Sequence, residues 1–335
     1  MGGFKRIFVD CKTEGYSHTK TICENKSKWM AKLNNNRTLS ALSIPGTHDT
    51  MSISYGGDSA QNQSKDLKTQ LISGIRFLDI RLAAYPNSED FLYAHHEFIY
   101  LYSNFNEILN IVTDFLKNNE SETLLMRIRQ EYTKEPSNIF VALIKKFLNN
   151  PKYSNYLYKN IWNNNPTLGE LRGKIIILQD FSGLVKGLDY SYFNIQDDYY
   201  LLTNWDLYSK WEKVKAHLLK ANESFSKREN KSFINYLSGS GGCFPYFVAS
   251  GHSSSSPNSP RLSTGLTEPG FTGYYPDFPR VNWFLGVFAT IAFEGTNNLT
   301  KDYIDKNNPA YVGIVVADFP GQGLINSIIN VNNRV

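Results

Sequence analysis

The chain has 335 residues, of which 41% are hydrophobic, 14% aromatic and 20% charged. This composition is typical of a folded protein with a large core, and it excludes long disordered segments. The 35 basic and 31 acidic residues leave a net charge of +4 without a long Lys or Arg run, so nucleic acid is not expected as a partner.

Three short, apolar, β-compatible runs predict strands in the first third of the chain: 39–44, 76–82 and 91–95. The first of these runs precedes Pro45-Gly46, which indicates that the strand ends in a loop. Asn104 and Glu107 then stand in the positions of a capping box, ahead of apolar residues at i, i+3, i+4 and i+7. A helix is therefore predicted over 105–117.

The rest of the chain continues to alternate between the two kinds of element. The predicted strands are 123–128, 174–178, 233–237 and 311–317, and the predicted helices are 139–148, 205–221 and 283–293. Residues 239–279 are rich in Gly, Ser, Pro and aromatic residues and are expected to form long loops. Apolar strands that alternate with helices favour a parallel sheet covered by helices, and we expect an α/β fold closed into a barrel.

Polar side chains fall at or just past the carboxyl ends of four predicted strands: His48, Asp49, Arg81, His96 and Asp318. The carboxyl ends of barrel strands form one rim around one pocket. Residues nearly the whole chain apart are therefore expected to meet there.

Two histidines and a cation suit chemistry on a phosphodiester. One imidazole, His48 or His96, would take a proton from an attacking hydroxyl, while the other would give a proton to the leaving oxygen. Arg81 would offset negative charge on the phosphate oxygens, since a guanidinium binds phosphate bidentately and keeps its charge. A carboxylate, Asp318 or Asp49, would orient a histidine and raise its basicity.

Each of these residues also has a structural alternative as a buried histidine or an ordinary ion pair. Three histidines are assigned that structural role: His18, His217 and His252. His95 is expected to point away from His96, because neighbours on a strand face opposite sides. Asp79 shares a side with Arg81 and would either orient a ligand or pair with Arg76.

The cysteines and the N-terminus leave the compartment open. Cys11, Cys23 and Cys243 have no metal-ligand spacing, and their odd number argues against a fully paired framework, although a Cys11–Cys23 bridge is possible. Residues 1–15 contain an apolar run too short for a secretory signal.

Seven motifs occur in the order and spacing of a known family. They are SKWM at 27–30, SIPGTHDT at 43–50, FLDIR at 77–81, HH at 95–96, SETLLM at 121–126 with EY at 131–132, GKIIIL at 173–178, and NPAYVGIVVAD at 308–318. From Ser27 onward the chain resembles the bacterial phosphatidylinositol-specific phospholipases C, the X-domain family. Residues 1–26 would then be an N-terminal extension of unknown role, and 27–335 the catalytic domain.

The resemblance implies a distorted TIM-type (βα)8 barrel that cleaves phosphatidylinositol, or its glycan-linked form, to diacylglycerol and a cyclic inositol phosphate. The inositol 2-hydroxyl would attack phosphorus. By position in the motifs, His48 resembles the general base, held by Asp318, and His96 the general acid, assisted by Asp49. Arg81 matches the phosphate-binding arginine.

The resemblance also predicts that no metal or other cofactor is used. In calcium-dependent animal relatives a carboxylate stands at the position of Arg81, and an asparagine follows the first histidine. A fixed guanidinium here takes the place of calcium.

Four residues would form the head-group pocket: Arg129, where the family has lysine, Asp197, Tyr199, and Asp180, where the best-known members have arginine. Phe244, Tyr246 and Phe247 would form an aromatic membrane rim, unless they pack beneath the following loop. The expected partner is a phosphatidylinositol-containing membrane, met by a monomer. The resemblance favours a secreted protein, and a cytoplasmic one stays open.

Two rival functions are weighed. A glycerophosphodiester phosphodiesterase shares the barrel and the two histidines, but it needs carboxylates placed for a metal, and Arg81 argues against that. A non-catalytic lipid-binding protein would have no use for both His48 and His96.

Overall fold

The computed structural model describes residues 10–131, 135–160, 162–183, 187–256 and 258–334. Tyr132 of the EY motif and the first nine residues of the extension lie outside these ranges. The strands are β1 (Ile44–Thr47), β2 (Phe77–Ala84), β3 (Leu92–His96), β4 (Ile99–Asn104), β5 (Leu124–Gln130), β6 (Ile175–Asp180), β7 (Leu188–Asp189), β8 (Asn194–Gln196), β9 (Tyr200–Leu201), β10 (Phe233–Tyr236), β11 (Ser240–Gly241), β12 (Ser263–Glu268), β13 (Arg280–Phe284), β14 (Phe288–Ala292) and β15 (Ile314–Ala317).

The helices follow the same order along the chain. They are α1 (Leu67–Ser73), α2 (Phe105–Asn118), α3 (Ser137–Leu148), α4 (Pro151–Ser154), α5 (Leu168–Leu171), α6 (Leu207–Ser226), α7 (Pro245–Ser250), α8 (Thr296–Asn307) and α9 (Gln322–Val331). The capping box predicted for α2 is present, with Asn104 and Glu107 each bonded to the other's backbone N–H. No helix within the described residues is long and apolar enough to span a bilayer.

The sheet is a curled ladder of parallel strands in the order β7-β6-β5-β2-β1-β15-β10-β8. The strands at its two ends, β7 and β8, are neighbours in sequence, joined by a 3-10 turn at Tyr190–Tyr192. No ladder links β7 to β8 within the described ranges, so the barrel is open on that side. The predicted distorted barrel is confirmed.

Alternation along the strands separates the barrel interior from its outer face. Phe77 on β2 belongs to a buried cluster with residues of β1, β5, β6, β10 and β15, which fills the barrel. Leu78 and Ile80 face the other way, toward α1, α2 and α3. Asp79 and Arg81 therefore follow Phe77 up the interior side of β2 to its carboxyl end.

The first predicted strand is displaced. Leu39–Ala41 forms a 3-10 turn, and the strand begins at Ile44 and runs through Pro45-Gly46 instead of ending there. A side chain at Gly46 would lie 2.8 Å from the Phe77 ring, so glycine permits the close approach of β1 and β2. The Pro-Gly pair therefore belongs to a barrel strand. The strand ends at Thr47, and the turn begins at His48.

The predicted helix over 283–293 is wrong, because this segment is the hairpin of β13 and β14. Leu285 and Gly286, at its turn, have φ values of 52° and 67°. Two consecutive positive φ angles match the twist of flanking strands. Aromatic and β-branched residues on both sides of a glycine favour a hairpin over a helix.

The region predicted as long loops contains regular elements, and the described part of the N-terminal extension packs against the barrel. Residues 239–279 contain β11, α7 and β12, and β12 pairs with β14. Cys11 and Cys23 form a disulfide. The segment between them lies against the chain that follows β15, where Ser17 N–H donates to the Phe319 carbonyl at 3.0 Å and Gly321 N–H donates to the Gly15 carbonyl at 2.8 Å.

Candidate active site

The five residues predicted from strand ends come together at one end of the barrel. His48 and Asp49 follow β1, Arg81 lies on β2, His96 ends β3, and Asp318 follows β15. Adjacent pairing of β1 with β2 and with β15 places these three strand ends side by side. His95, as predicted, points away and sits among tyrosines on the outer side.

His48 is held between a carboxylate and a guanidinium. Its Nδ1 lies 2.8 Å from Oδ1 of Asp318, and its Nε2 lies 2.7 Å from Nη2 of Arg81. Because a guanidinium can only donate, Nε2 must carry the lone pair and Nδ1 the proton. This is the tautomer that a general base needs.

Asp318 is buried at the base of this arrangement. Asn62 donates to the same carboxylate oxygen at 3.1 Å. Burial raises the pKa of the Asp318 carboxyl above its usual value, and contacts with His48 and Asn62 limit that rise. Asn62, which sequence analysis missed, therefore helps to hold the acceptor of His48.

His96 has its own carboxylate. Its Nδ1 lies 2.5 Å from Oδ2 of Asp49. Burial lowers the pKa of His96, but the hydrogen bond and charge of Asp49 outweigh burial, so the pKa lies above its usual value. The histidine next to the pocket is therefore favoured in its protonated form, which is the form of a general acid.

Asp79 connects the two halves of the site. One carboxylate oxygen accepts from Arg81 Nε at 3.2 Å and Nη2 at 3.1 Å, and also from the Asp49 backbone N–H at 3.1 Å. The other oxygen accepts from Nη1 of Arg127 at 3.1 Å. Burial alone would raise the pKa of Asp79, but the two guanidiniums hold it well below its usual range.

The expected alternative pairing of Asp79 with Arg76 does not occur. Arg76 is buried at the other end of β2, where its Nε and Nη2 donate to Glu122 at 3.0 and 2.8 Å. Glu122 also accepts from the Met30 backbone N–H. The motif residues SKWM and SETLLM therefore meet in a structural ion pair remote from the site.

A cavity of about 140 Å³ opens over the two histidines. Its lining includes three of the predicted head-group residues, Arg129, Asp197 and Tyr199. It also includes residues that sequence analysis missed: Glu97, Glu131, Ser238, Gly239 and Ser240. The pocket therefore offers both charges and hydroxyls to a polyol.

Asp180 has a different position from the one predicted. It does not line the cavity, because its carboxylate accepts from Nε and Nη2 of Arg127 at 3.0 and 2.6 Å. Arg127 also donates to the Tyr236 hydroxyl at 2.9 Å. The pair thus lies beneath the pocket, where Arg127 links Asp180 to Asp79.

The predicted aromatic rim is mostly buried. Tyr246 and Phe247 are only 8% and 3% exposed, and they pack in the cluster that surrounds α6 and α8. Phe244 is exposed and stacks on Tyr246. Aromatic composition alone did not distinguish a surface loop from the buried helix α7.

Within the described ranges, no group of three or more His, Cys, Asp or Glu side chains is placed to hold a metal ion. The position next to His48 is occupied by the guanidinium of Arg81, whose pKa is raised further because Asp79 and Asp49 outweigh its burial.

Two histidines, each bonded to its own carboxylate, flank an arginine at the rim of a parallel barrel. This geometry suits a class of enzymes that cleave phosphodiesters by acid–base catalysis. The model of the family "Phosphatidylinositol-specific phospholipase C, X domain" matches residues 36–180.

Relatives and solved structures agree with that match. The chain is 34% identical to the 1-phosphatidylinositol phosphodiesterase of Listeria monocytogenes over 233 residues, 63% of this chain and 68% of the relative. It is 25% identical to the enzyme of the same name from Staphylococcus aureus, over 88% of this chain and 99% of the relative. The structure of the Listeria phospholipase C superposes with a TM-score of 0.65 at 25% identity, covering 92% of this chain and 98% of that chain.

The chain therefore belongs to the phosphatidylinositol-specific phospholipase C family, and it is an enzyme.

Proposed function

We propose that the enzyme cleaves phosphatidylinositol to diacylglycerol and 1,2-cyclic inositol phosphate, with the inositol 2-hydroxyl as nucleophile. The relatives' name, 1-phosphatidylinositol phosphodiesterase, supports the substrate. The observation that carries the mechanism is the His48 ring, which is bonded through Nδ1 to Asp318 and presents Nε2 toward Arg81.

The first half of the reaction forms a bond at phosphorus. Arg81 binds a non-bridging phosphate oxygen, and Nε2 of His48 takes the proton of the 2-hydroxyl as its oxygen attacks. The imidazolium that results is stabilised by Asp318. Asp79 keeps the guanidinium oriented, because both Nε and Nη2 of Arg81 donate to it.

The second half breaks the bond between phosphorus and the diacylglycerol oxygen. His96 gives its proton to that oxygen as it leaves with the bonding electrons. The Asp49 carboxylate supports this role, because it raises the pKa of His96. No water is consumed, and the phosphate remains a diester in its cyclic form.

The head group is held by the other residues of the cavity. Arg129 and Asp197 line the cavity, which supports a role in binding inositol hydroxyls, and the half-exposed Tyr199 ring in the same lining supports stacking on the inositol ring. Asp180 acts indirectly, because it is bonded to Arg127. Glycan-linked phosphatidylinositol would be a substrate if its glycan lay outside the cavity.

Catalysis is proposed to be independent of metal, because the Arg81 guanidinium supplies the positive charge beside the base. One chain supplies every member of the site, which supports a monomer acting at the membrane surface. The Cys11–Cys23 disulfide supports an oxidising compartment outside the cytoplasm.

The experiment is to supply phosphatidylinositol to the purified enzyme in the presence of a chelator and follow the product by phosphorus NMR. The cyclic phosphodiester should form first. His48→Ala and His96→Ala should each lower turnover by about 100-fold or more. Loss of activity in the chelator, or a linear monoester from the outset, would contradict the mechanism.

A further inference from the structure

Lys210 is a buried charged residue to which the proposed mechanism gives no role. It lies in the first turn of α6 and is 2% exposed. Lysine is rarely buried to this extent, because an ammonium that leaves water must find hydrogen bonds or opposite charge in exchange. The partners of this ammonium therefore indicate what it does.

The ammonium donates to one short stretch of chain, residues 196–199, which we call the head-group segment. Nζ of Lys210 donates to the Asp198 carbonyl at 2.8 Å and to Oε1 of Gln196 at 3.3 Å. The Asp198 N–H donates to the same Gln196 oxygen at 2.8 Å. Lys210 therefore binds the two residues that flank Asp197.

The head-group segment carries two residues of the cavity wall. Asp197 and Tyr199 both line the catalytic cavity. Residues 197–199 lie between β8 and β9, so strand pairing does not fix them. Such a stretch keeps a defined shape only where its backbone groups find other partners.

The head-group segment is anchored at both ends. At its start, the Gln196 amide donates to the Tyr236 carbonyl at 2.9 Å, which ties the segment to β10. At its end, the Ser240 N–H donates to the Tyr199 carbonyl at 2.8 Å. Lys210 binds between these two points and so fixes the middle of the segment.

The charge of Lys210 lies among carboxylates. Burial lowers the pKa of Lys210 to about 8, because the charged form loses its solvation. The other charged groups that act on it are the carboxylates of Asp197, Asp198 and Asp318, which raise this pKa, and the Lys213 ammonium, which lowers it. At pH 7 the ammonium is therefore still largely protonated, and it attracts the Asp197 carboxylate from behind the cavity wall.

We propose that Lys210 is a positioning residue for the inositol head group, because its ammonium holds the head-group segment in the shape that presents Asp197 and Tyr199 to the cavity. The inference rests on the proposed function, in which these two residues bind the inositol. Lys210 does not line the cavity and acts only through the segment. A neutral side chain of similar length would fill the space but would leave the Asp198 carbonyl without this donor.

The test compares Lys210→Met with wild type on a short-chain, monomeric phosphatidylinositol, for which KM and kcat can be measured separately. KM should rise by about tenfold or more while kcat changes by less than about threefold, because the head group is bound less well in the ground state and the transition state alike. Competitive inhibition by myo-inositol should weaken by a similar factor. A kcat near that of wild type also shows that the variant is folded.

Lys213→Met is the matched control. Lys213 lies one turn further along α6 and pairs with the side-chain carboxylate of Asp198, but its own side chain is 52% exposed. An exposed ion pair contributes little, so KM should stay near the wild-type value. This control removes a lysine from the same helix without touching the backbone of the head-group segment.

A pH series separates the charge of Lys210 from its packing. In wild type and in Lys213→Met, the inhibition constant of myo-inositol should rise as the pH passes about 8, where the Lys210 ammonium loses its proton. The reason is that a charged donor forms stronger hydrogen bonds than a neutral amine does. In Lys210→Met the constant should already be high and should show no such step.

A double-mutant cycle tests whether Lys210 acts through the head-group segment. When Lys210→Met is added to Asp197→Asn/Tyr199→Ala, KM should rise by less than about a further twofold, because the residues that Lys210 positions no longer contribute. An additional rise as large as that in the wild-type background would overturn the proposal.

Two other results would also overturn it. One is an unchanged KM in Lys210→Met, with or without a fall in kcat. The other is a wild-type inhibition constant without a step near pH 8, a measurement that needs no variant. Failure of wild type to cleave phosphatidylinositol would instead contradict the proposed function, and calorimetric titration with myo-inositol would then still compare Lys210→Met with wild type.

Discussion

Asp49 is held in a left-handed backbone conformation, with a φ of 37°, at the turn after β1. Its backbone N–H donates to Asp79 while its carboxylate reaches Nδ1 of His96. Aspartate tolerates this conformation better than most residues do. Asp49 therefore links Asp79, which binds Arg81, to His96.

Replacing this carboxylate should shift the pH profile of turnover. The Asp49 charge raises the pKa of His96, so Asp49→Asn should lower that pKa and leave less of the acid protonated at neutral pH. The basic limb of kcat should move to lower pH, and turnover above pH 7 should fall by about tenfold or more. Steady-state rates across the pH range provide the measurement.

Glu97→Gln is the matched control, because it removes the carboxylate next to His96 in the chain and should move the limb much less. An unchanged basic limb in Asp49→Asn would show that another group sets it.

Residue positions at strand ends were predictable, but their partners were not. The strand pattern located His48, Arg81, His96 and Asp318, because a change from apolar to polar residues at a strand end is visible in sequence. Arg127 lies in the middle of β5, where a buried arginine resembles a structural residue. Only the register of β5 beside β2 brings it to Asp79.

At the scale of elements, the N-terminal segment supports the strand end that carries Asp318. Tyr16 bridges to Pro320, and the Gly323 N–H donates to the Glu14 carbonyl at 2.8 Å. These contacts hold the turn between β15 and α9. The described part of the extension therefore packs against the turn that follows β15.

Removing the disulfide should loosen this segment. The bridge closes a loop with a sequence separation of 12 residues, which corresponds to about 3 kcal/mol of stability on the chain-entropy estimate. Cys11→Ser/Cys23→Ser should lower the free energy of unfolding by up to that amount, measured by urea denaturation.

Cys243→Ser provides the comparison, since this buried thiol lies outside the segment and donates to Asn204 at 3.3 Å. A double variant as stable as wild type would show that the segment is held by its other contacts alone.

Helices and strands with one clear hydrophobic periodicity were predicted well. Elements that are short, or whose apolar pattern fits both a helix and a strand, were not. α2 and α6 carry apolar stripes at helical spacing, and β5 and β6 are continuous apolar runs. α8 begins with polar Thr296, Asn297 and Asn298, which gave no helical signal, yet it packs against α6 and α9. The hairpin at 280–292 was mistaken for a helix because both patterns are rich in apolar residues.

At the scale of the whole molecule, two buried histidines outside the site should contribute to the response to acid. Burial lowers the pKa of His217 to about 4, and burial with nearby Arg261 lowers that of His252 to about 4. In the unfolded chain both would titrate near the usual value of about 6.5. Between these values the unfolded state binds protons that the folded state does not.

The contribution of these two histidines to folding stability should therefore be full above about pH 6.5 and fall as the pH drops toward 4. In His217→Gln/His252→Gln the free energy of unfolding should depend less on pH, because unfolding would bind up to about two fewer protons. Urea midpoints measured at several pH values test the slope. An equally steep dependence in the double variant would assign the acid response to other groups.

The contact between Arg81 and His48 has a consequence for which molecules can be processed. Nη2 of Arg81 lies 2.7 Å from Nε2 of His48, so the residue proposed to bind phosphate covers the atom proposed to accept the proton. Under the proposed mechanism, a phosphate oxygen would compete for that donor and free the imidazole, whereas a sugar without phosphate would not. A hydroxyl or water that arrives without a phosphodiester would then meet a histidine still bonded to Arg81.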